Sequence, residues 1–212
     1  MTAPADRSIY LASRSPRRRE LLTQIGVRYK LLFSRGQPDA DPEVDESVLE
    51  GEAPRAYVER LARAKAEAGW KRLEQRSLPR AVVLAADTTV ALGTRILGKP
   101  SDRREAGEML AALSGQTHEV LTAVAAKLED TLECATSAST VTFKTLSAPE
   151  IAEYVASGEW DDKAGGYGIQ GRAARYITAI HGSYTGIVGL PLYETAELLD
   201  RMNRLREARP LR

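Results

Sequence analysis

Residues Ala81 to Ala86 form an unbroken apolar run that ends abruptly at the carboxylate of Asp87. A run with no polar face suits a strand covered on both sides, which requires a sheet with helices packed against it. The stop places Asp87 at the carboxyl end of the predicted strand, where ligands collect in open α/β sheets. A carboxylate there is costly unless paired or solvated. On spacing alone, Asp87 reads equally as a chemical group or as the cap of a turn through Thr88 and Thr89.

The flanking sequence alternates between strand and helix patterns. Ile9 to Ala12 predicts a short strand. Pro16 to Ile25 predicts a helix with Ser15 as N-cap, proline at its first position and Gly26 as the closing glycine. Tyr29 to Ser34 reads as a second strand, and Arg35 to Ala53, rich in acid, glycine and proline, as a long loop. Pro54 to about Arg76 predicts a long alanine-rich helix. Val90 to Leu97 reads as a hairpin turning at Gly93-Thr94, and Asp102 to Leu113 as a helix. His118 to Leu128 and Thr136 to Leu146 predict two long strands, and Pro149 to Ala156 a short helix. A glycine-rich loop from Glu159 to Arg172 precedes a strand at Arg175 to Ile180 and a last helix from Leu190 to about Leu205. The sum is an α/β fold: a mixed central sheet flanked by helices, in one domain whose two lobes border a cleft. Its core should span 7–206, with flexible ends at 1–6 and 207–212.

Charge excludes some functions. Lys and Arg number 30 against 29 Asp and Glu, a net +1, so there is no basic footprint for long nucleic acid. Any phosphate binding must come from a local cluster. The one cysteine, Cys134, forms no intrachain disulfide, which points to a reducing, cytoplasmic setting. No signal segment is read at the start, and no apolar stretch reaches the ~20 residues of a membrane span.

Such a cluster is available. Ser13 to Arg19 reads Ser-Arg-Ser-Pro-Arg-Arg-Arg. Amides at a helix start attract anions, and arginines supply bidentate donors for phosphate. On its own the stretch reads as a capped helix with a charged outer face. Lys65 falls on the apolar stripe with Val58 and Leu61, either snorkelling at the stripe's edge or aimed at an internal site. Lys99 follows a strand candidate at a turn. Glu46, in the acidic loop, reads as solvated unless joined to Asp87, in which case the pair suits a hard cation such as magnesium. Other signals fail. Gly166 to Gly171 matches GxGxxG but opens no helix after a strand. His118 and His181 lack metal-ligand spacing with each other or with Cys134. There is no phosphate loop of the GxxxxGK type and no nucleophile elbow.

Taken in order, several short stretches resemble the Maf family of nucleotide pyrophosphatases. They are Leu11 to Arg18, Val44 to Glu46, Arg60 to Ala62 with Ala64 to Ala66, Ala86 to Thr88, Gly98 to Pro100, Leu113 to Gly115, Asp162 to Gly171, and Val188 to Pro191. The resemblance covers about Ile9 to Leu199. It implies hydrolysis of nucleoside triphosphates between the α and β phosphates, on a Maf/ITPase-like fold. Arg17, Thr88 and Gln170 match the dTTP/UTP branch, whereas a 7-methyl-GTP branch resembles Ser-Pro-Trp, Ser-Asp-Gln and a final glutamate. The resemblance further implies Asp87 as proton acceptor, with Glu46 and Asp87 holding Mg2+ or Mn2+. Lys65 and Lys99 would act with it in catalysis. Ser13, Ser15, Arg17 and Arg18 would bind substrate at the phosphates, and Thr88 and Gln170 would set base choice. A homodimer is common in such proteins, and removal of modified pyrimidine nucleotides is the implied role. Two alternatives stand beside this reading: a pyrophosphatase of another branch, or a nucleotide-binding regulator of cell division without turnover.

Overall fold

The computed structural model describes residues 7–33 and 44–208. The predicted strand end at Ser34, most of the loop's acidic first half, and the chain ends 1–6 and 209–212 lie outside the described residues. The elements run β1 (Ile9–Leu11), α1 (Pro16–Gln24), β2 (Tyr29–Leu31), α2 (Pro54–Gln75), β3 (Val83–Leu92), β4 (Arg95–Leu97) and α3 (Arg103–Leu113). They continue with β5 (Thr117–Leu128), β6 (Thr131–Phe143), α4 (Ala148–Ser157), two 3-10 turns (Ala164–Gly166 and Arg172–Tyr176), β7 (Ile177–His181), α5 (Tyr184–Val188) and α6 (Leu192–Ala208). The sheet order is β2-β1-β3-β5-β6-β7, with β4 also paired to β3. β1 lies parallel to β2 and β3, and all other pairings are antiparallel. This is the expected mixed α/β sheet.

The apolar run is buried as expected, with Val83, Leu84 and Ala85 fully inaccessible. Helix α2 covers one face. It approaches so closely that a Cβ on Gly69 would stand 2.8 Å from Val83 Cγ1 and 2.9 Å from Ala12 Cβ. Glycine there sacrifices some helix propensity for a tight helix–sheet contact. Two left-handed glycines in the first 3-10 turn, Gly165 (φ 69°) and Gly166 (φ 71°), fold the other covering segment onto β3. A Cβ on Gly165 would meet the Val90 side chain at 2.9 Å. Residues 83, 85 and 87 therefore lie on the face covered by α2, and 84, 86, 88 and 90 on the opposite face, where Val90 meets Gly165.

One expectation about this strand is wrong. β3 does not end at Asp87 but continues to Leu92, because pairing with β5 runs unbroken from Val83–Lys127 to Ala91–Glu119. Thr88 and Thr89 are β-branched and fit a strand, so the polar residues interrupt the composition and not the ladder. The other side of β3 differs. Its register with β1 reaches only Leu84, and its register with β4 begins at Val90. Between them the edge of β3 at Ala85 to Thr89 has no strand neighbour among the described residues. Asp87 thus lies mid-strand, beside a gap in the sheet.

Three smaller differences have local causes. β6 begins at Thr131, not Thr136, since the hairpin turns at once through Glu129 (φ 51°) and Asp130. Glu133, which disguised the strand's start, is held by Arg201 of α6 at 2.8 Å. Helix α5 was missed because Gly186 sits inside its five residues; Ser183 caps it by accepting from the Gly186 amide at 3.0 Å. Finally, α6 runs through Ala208, past the expected Leu205, and Glu207 pairs with Arg7 at 2.8 Å.

Candidate active site

A cleft of about 880 Å³ opens where β3 lacks its neighbour. A smaller cavity of about 360 Å³, between the end of α1 and α6, gathers none of the predicted site residues. All ten of those residues, from Ser13 to Gln170, line the larger cleft.

The wall formed by α2 and β3 is built around Lys65. Its ammonium lies 2.6 Å from Asp87 Oδ1 and 2.7 Å from Glu46 Oε1. The three side chains are largely buried, at 17%, 11% and 32% exposure. Lys65 is therefore aimed inward and is not a snorkelling edge residue. Glu46 is in the site despite its loop setting, because α2 straps that loop down. Arg60 grips both Glu52 oxygens at 2.7 and 2.8 Å and donates to the carbonyls of Asp45 (3.2 Å) and Ser47 (2.9 Å). Tyr57 donates its hydroxyl to the Glu46 carbonyl at 3.0 Å. Burial, reinforced by Asp87 and Glu46, pushes the Tyr57 phenol up to about 12, so it remains a donor. Arg60 and Tyr57 carry no sequence signal of this duty beyond their one-turn spacing on the helix face.

The opposite wall begins at α1. Ser15 caps the helix by accepting from the Arg18 amide at 3.4 Å. Arg18 turns its guanidinium inward and donates to Gly189 O (2.8 Å), Ser13 Oγ (3.2 Å) and Thr88 Oγ1 (3.2 Å). Loss of water in this setting lowers its pKa, opposed by the attraction of Asp87. Thr122 Oγ1 stands 3.0 Å from Thr88 Oγ1 and 2.7 Å from Gly186 O. Thr122 donates toward both oxygens, the carbonyl contact being the shorter, and Thr88 accepts from both Thr122 and Arg18. Thr88 thus ties α1, β5 and α5 together, a role its sequence position did not suggest. Arg14 lies over the Phe33 ring, 4.8 Å from its centroid. Arg17 has no ion-pair partner among the described residues.

The remaining wall is the glycine-rich segment. Lys99 pairs with Asp162, both about half exposed. Gln170 is exposed in the cleft and its amide makes no hydrogen bond among the described residues. Lys163, not singled out from sequence, also lines the cleft and donates to the Asp161 carbonyl at 2.9 Å. Behind the segment, His118 Nε2 and Tyr167 Oη share a 2.7 Å hydrogen bond in the core. Burial pushes His118 down to about 4, so it is neutral and structural.

Could a divalent cation fit? Among the described residues no cluster of three or more His, Cys, Asp or Glu is present. The donors are two carboxylates, Glu46 and Asp87, that touch the same ammonium. Mg2+ is commonly bound by one or two carboxylates, with waters and substrate phosphates completing its shell. The donor chemistry fits such an ion.

A model of Maf-like proteins matches residues 8–202. Among known proteins, the chain is 54% identical to a dTTP/UTP pyrophosphatase of Nitrosomonas europaea over 94% of this chain and 97% of that one. It is 57% identical to proteins of the same name from Aromatoleum aromaticum (93% and 96% covered) and Cupriavidus pinatubonensis (93% and 98%). A looser likeness, 16% identical with a TM-score of 0.45, covers 64% of this chain and 71% of the Staphylococcus aureus Ham1 protein. With the family model matching residues 8–202 and the pyrophosphatases 54–57% identical over nearly their whole length, the chain belongs to the family of Maf-like proteins.

Proposed function

We propose that this protein hydrolyses dTTP and UTP to the nucleoside monophosphate and pyrophosphate. The observation that carries the reading is Asp87: one oxygen is fixed by Lys65, and the group faces an arginine-bearing helix start across one cleft. The second Asp87 oxygen accepts the proton of a water that bonds to the α-phosphorus. The bond from that phosphorus to the bridging oxygen breaks, and pyrophosphate carries the electron pair away. Arg17, Arg18, Lys65 and Lys99 offset the phosphate charge, the main task in phosphoryl chemistry. Glu46 and Asp87 would hold Mg2+ or Mn2+, which when bound supplies positive charge to the phosphates.

Specificity follows from the cleft's other contents. The unbonded amide of Gln170 offers both a donor and an acceptor, as a uracil or thymine edge requires. Val90, Val120 and Ile187 line the same space and supply a dry wall for a base. Cytosine presents a different donor pattern and would leave polar groups unpaired. No described helix is long and apolar enough to cross a membrane. A free, half-buried Cys134 supports a reducing cytoplasm as the setting.

The test is pyrophosphate release by purified protein with Mg2+ or Mn2+, across dTTP, UTP, CTP, the purine triphosphates and 7-methyl-GTP. Release from dTTP and UTP, with monophosphate as coproduct, is expected. Release from 7-methyl-GTP alone overturns the specificity, and nucleotide binding without release overturns the reaction.

A further inference from the structure

The cations of the cleft differ in what already neutralises them. Lys65 serves two carboxylates, and Lys99 has Asp162. Arg18 spends its guanidinium on three neutral oxygens that fix its orientation. Lys163 and Arg17 have no carboxylate within ion-pair distance among the described residues. Lys163 is half-buried, with its ammonium on the backbone carbonyl of Asp161 and its stem along Gly168, where a Cβ would lie 3.7 Å from Lys163 Cε.

The turn that presents it is a special one. Asp162 adopts φ 57°, a left-handed conformation that aspartate tolerates better than most residues. The chain thereby sends Asp162 to Lys99, while the next residue lines the cleft. The charges facing Lys163 are Arg17 and Lys99, which repel it, and Asp161 and Asp162, which attract it; burial and Arg17 together lower its pKa. Arg17 and Lys163 thus repel each other while neither has a carboxylate within ion-pair distance among the described residues, which favours an anion that both could contact. A carbonyl dipole steadies an ammonium without cancelling its charge.

We infer that Lys163 is a substrate-contacting residue that, with Arg17, binds the pyrophosphate portion of the nucleotide and stabilises it as it leaves. This rests on reading the cleft as a triphosphate site. It adds Lys163 to the cations that offset the phosphate charge and assigns the departing pyrophosphate to the wall whose cations lack ion-pair partners. A multivalent anion gains most from such a pair, because each contact forms in a partly dehydrated space.

The test measures binding, not turnover, on the intact protein. Inorganic pyrophosphate and UMP are titrated calorimetrically into wild type, Lys163→Met and Lys163→Arg, with thermal melts alongside. The expected result is at least a tenfold loss of pyrophosphate affinity in Lys163→Met, with UMP affinity held within twofold and Lys163→Arg retaining most pyrophosphate binding. Unchanged pyrophosphate affinity in Lys163→Met overturns the inference. So does a parallel loss for both ligands with a lowered melting temperature in both variants, which marks Lys163 as a support of the turn. A wild type that binds pyrophosphate through Lys163 yet hydrolyses no triphosphate would sink the hydrolase reading and leave this assignment standing.

Discussion

The two sides of the cleft handle charge in opposite ways. On the α2 side, Lys65 is enclosed by Asp87 and Glu46, and Arg60 and Glu52 hold each other beneath them. Nearly every charge there has a partner within 2.7 Å, so the side chains have fixed directions before any ligand arrives. On the facing side, Arg17 and Lys163 stand without carboxylates, and Lys99 has only a half-exposed one. Exposed pairs of that kind contribute little. The contrast separates two tasks. Under the proposed function, the paired charges would hold a reacting group in place, whereas the unpaired ones would attract what is to be bound.

The comparison breaks most sharply at Asp87. Asp87→Asn keeps the shape and removes the proton acceptor, so turnover should fall by about 10²–10⁴-fold. Pyrophosphate affinity should change far less, since that belongs to the other wall. A rate within tenfold of wild type would remove Asp87 from its role. A smaller effect is expected where the support is indirect. Arg60→Met releases the grip on Glu52 and on the Asp45 and Ser47 carbonyls, leaving Glu46 held by the Tyr57 hydroxyl on its carbonyl and by Lys65 on its carboxylate. Turnover at limiting Mg2+ should fall by roughly tenfold with little change in nucleotide KM. Arg60→Lys should fail to restore it, because a point charge cannot reproduce a forked contact. Full activity of Arg60→Met at low Mg2+ would show that Glu46 needs no strap.

The smallest effect lies behind the cleft and concerns stability. His118 is buried neutral, with its pKa pushed down to about 4 from an ordinary 6.5. Below pH 6.5 the unfolded chain binds a proton that the folded chain refuses, so stability falls with pH until about 4 and then levels. Replacing His118 by phenylalanine should flatten this stretch of a melting-temperature profile. It also leaves Tyr167 without its partner, so the variant should be less stable at neutral pH. An unchanged acid slope would assign the loss to other groups.

The residues that line the cleft were legible because several of them broke a local pattern. Asp87 interrupts an apolar run, Lys65 stands on an apolar stripe, and three arginines follow a capped proline. The elements were legible for the same reason, with α1, α2, α3 and the Gly93 turn falling close to their predicted places. What could not be read depends on distant partners. The continuation of β3 past Asp87 is decided by β5, some thirty-five residues on. The capture of the Glu46 loop is decided by Arg60, and the exposure of Lys163 to the cleft by a left-handed Asp162. Such features arise from pairing across the fold, which local periodicity does not record.

The gap in the β3 edge carries one more consequence. Asp87 and Thr88 are neighbours in sequence, yet they project from opposite faces of the sheet, one toward Lys65 and the other toward Arg18 and Thr122. A ligand seated at the gap touches both faces at once. Under the proposed function, reaction and recognition would therefore be separated by the thickness of a single strand and encoded at adjacent positions. Under that reading, variation at 88 should retune what is admitted without touching the packing around 87. A single-residue insertion between Ala81 and Ala86 would do the reverse: it would exchange the two faces and abolish both tasks together.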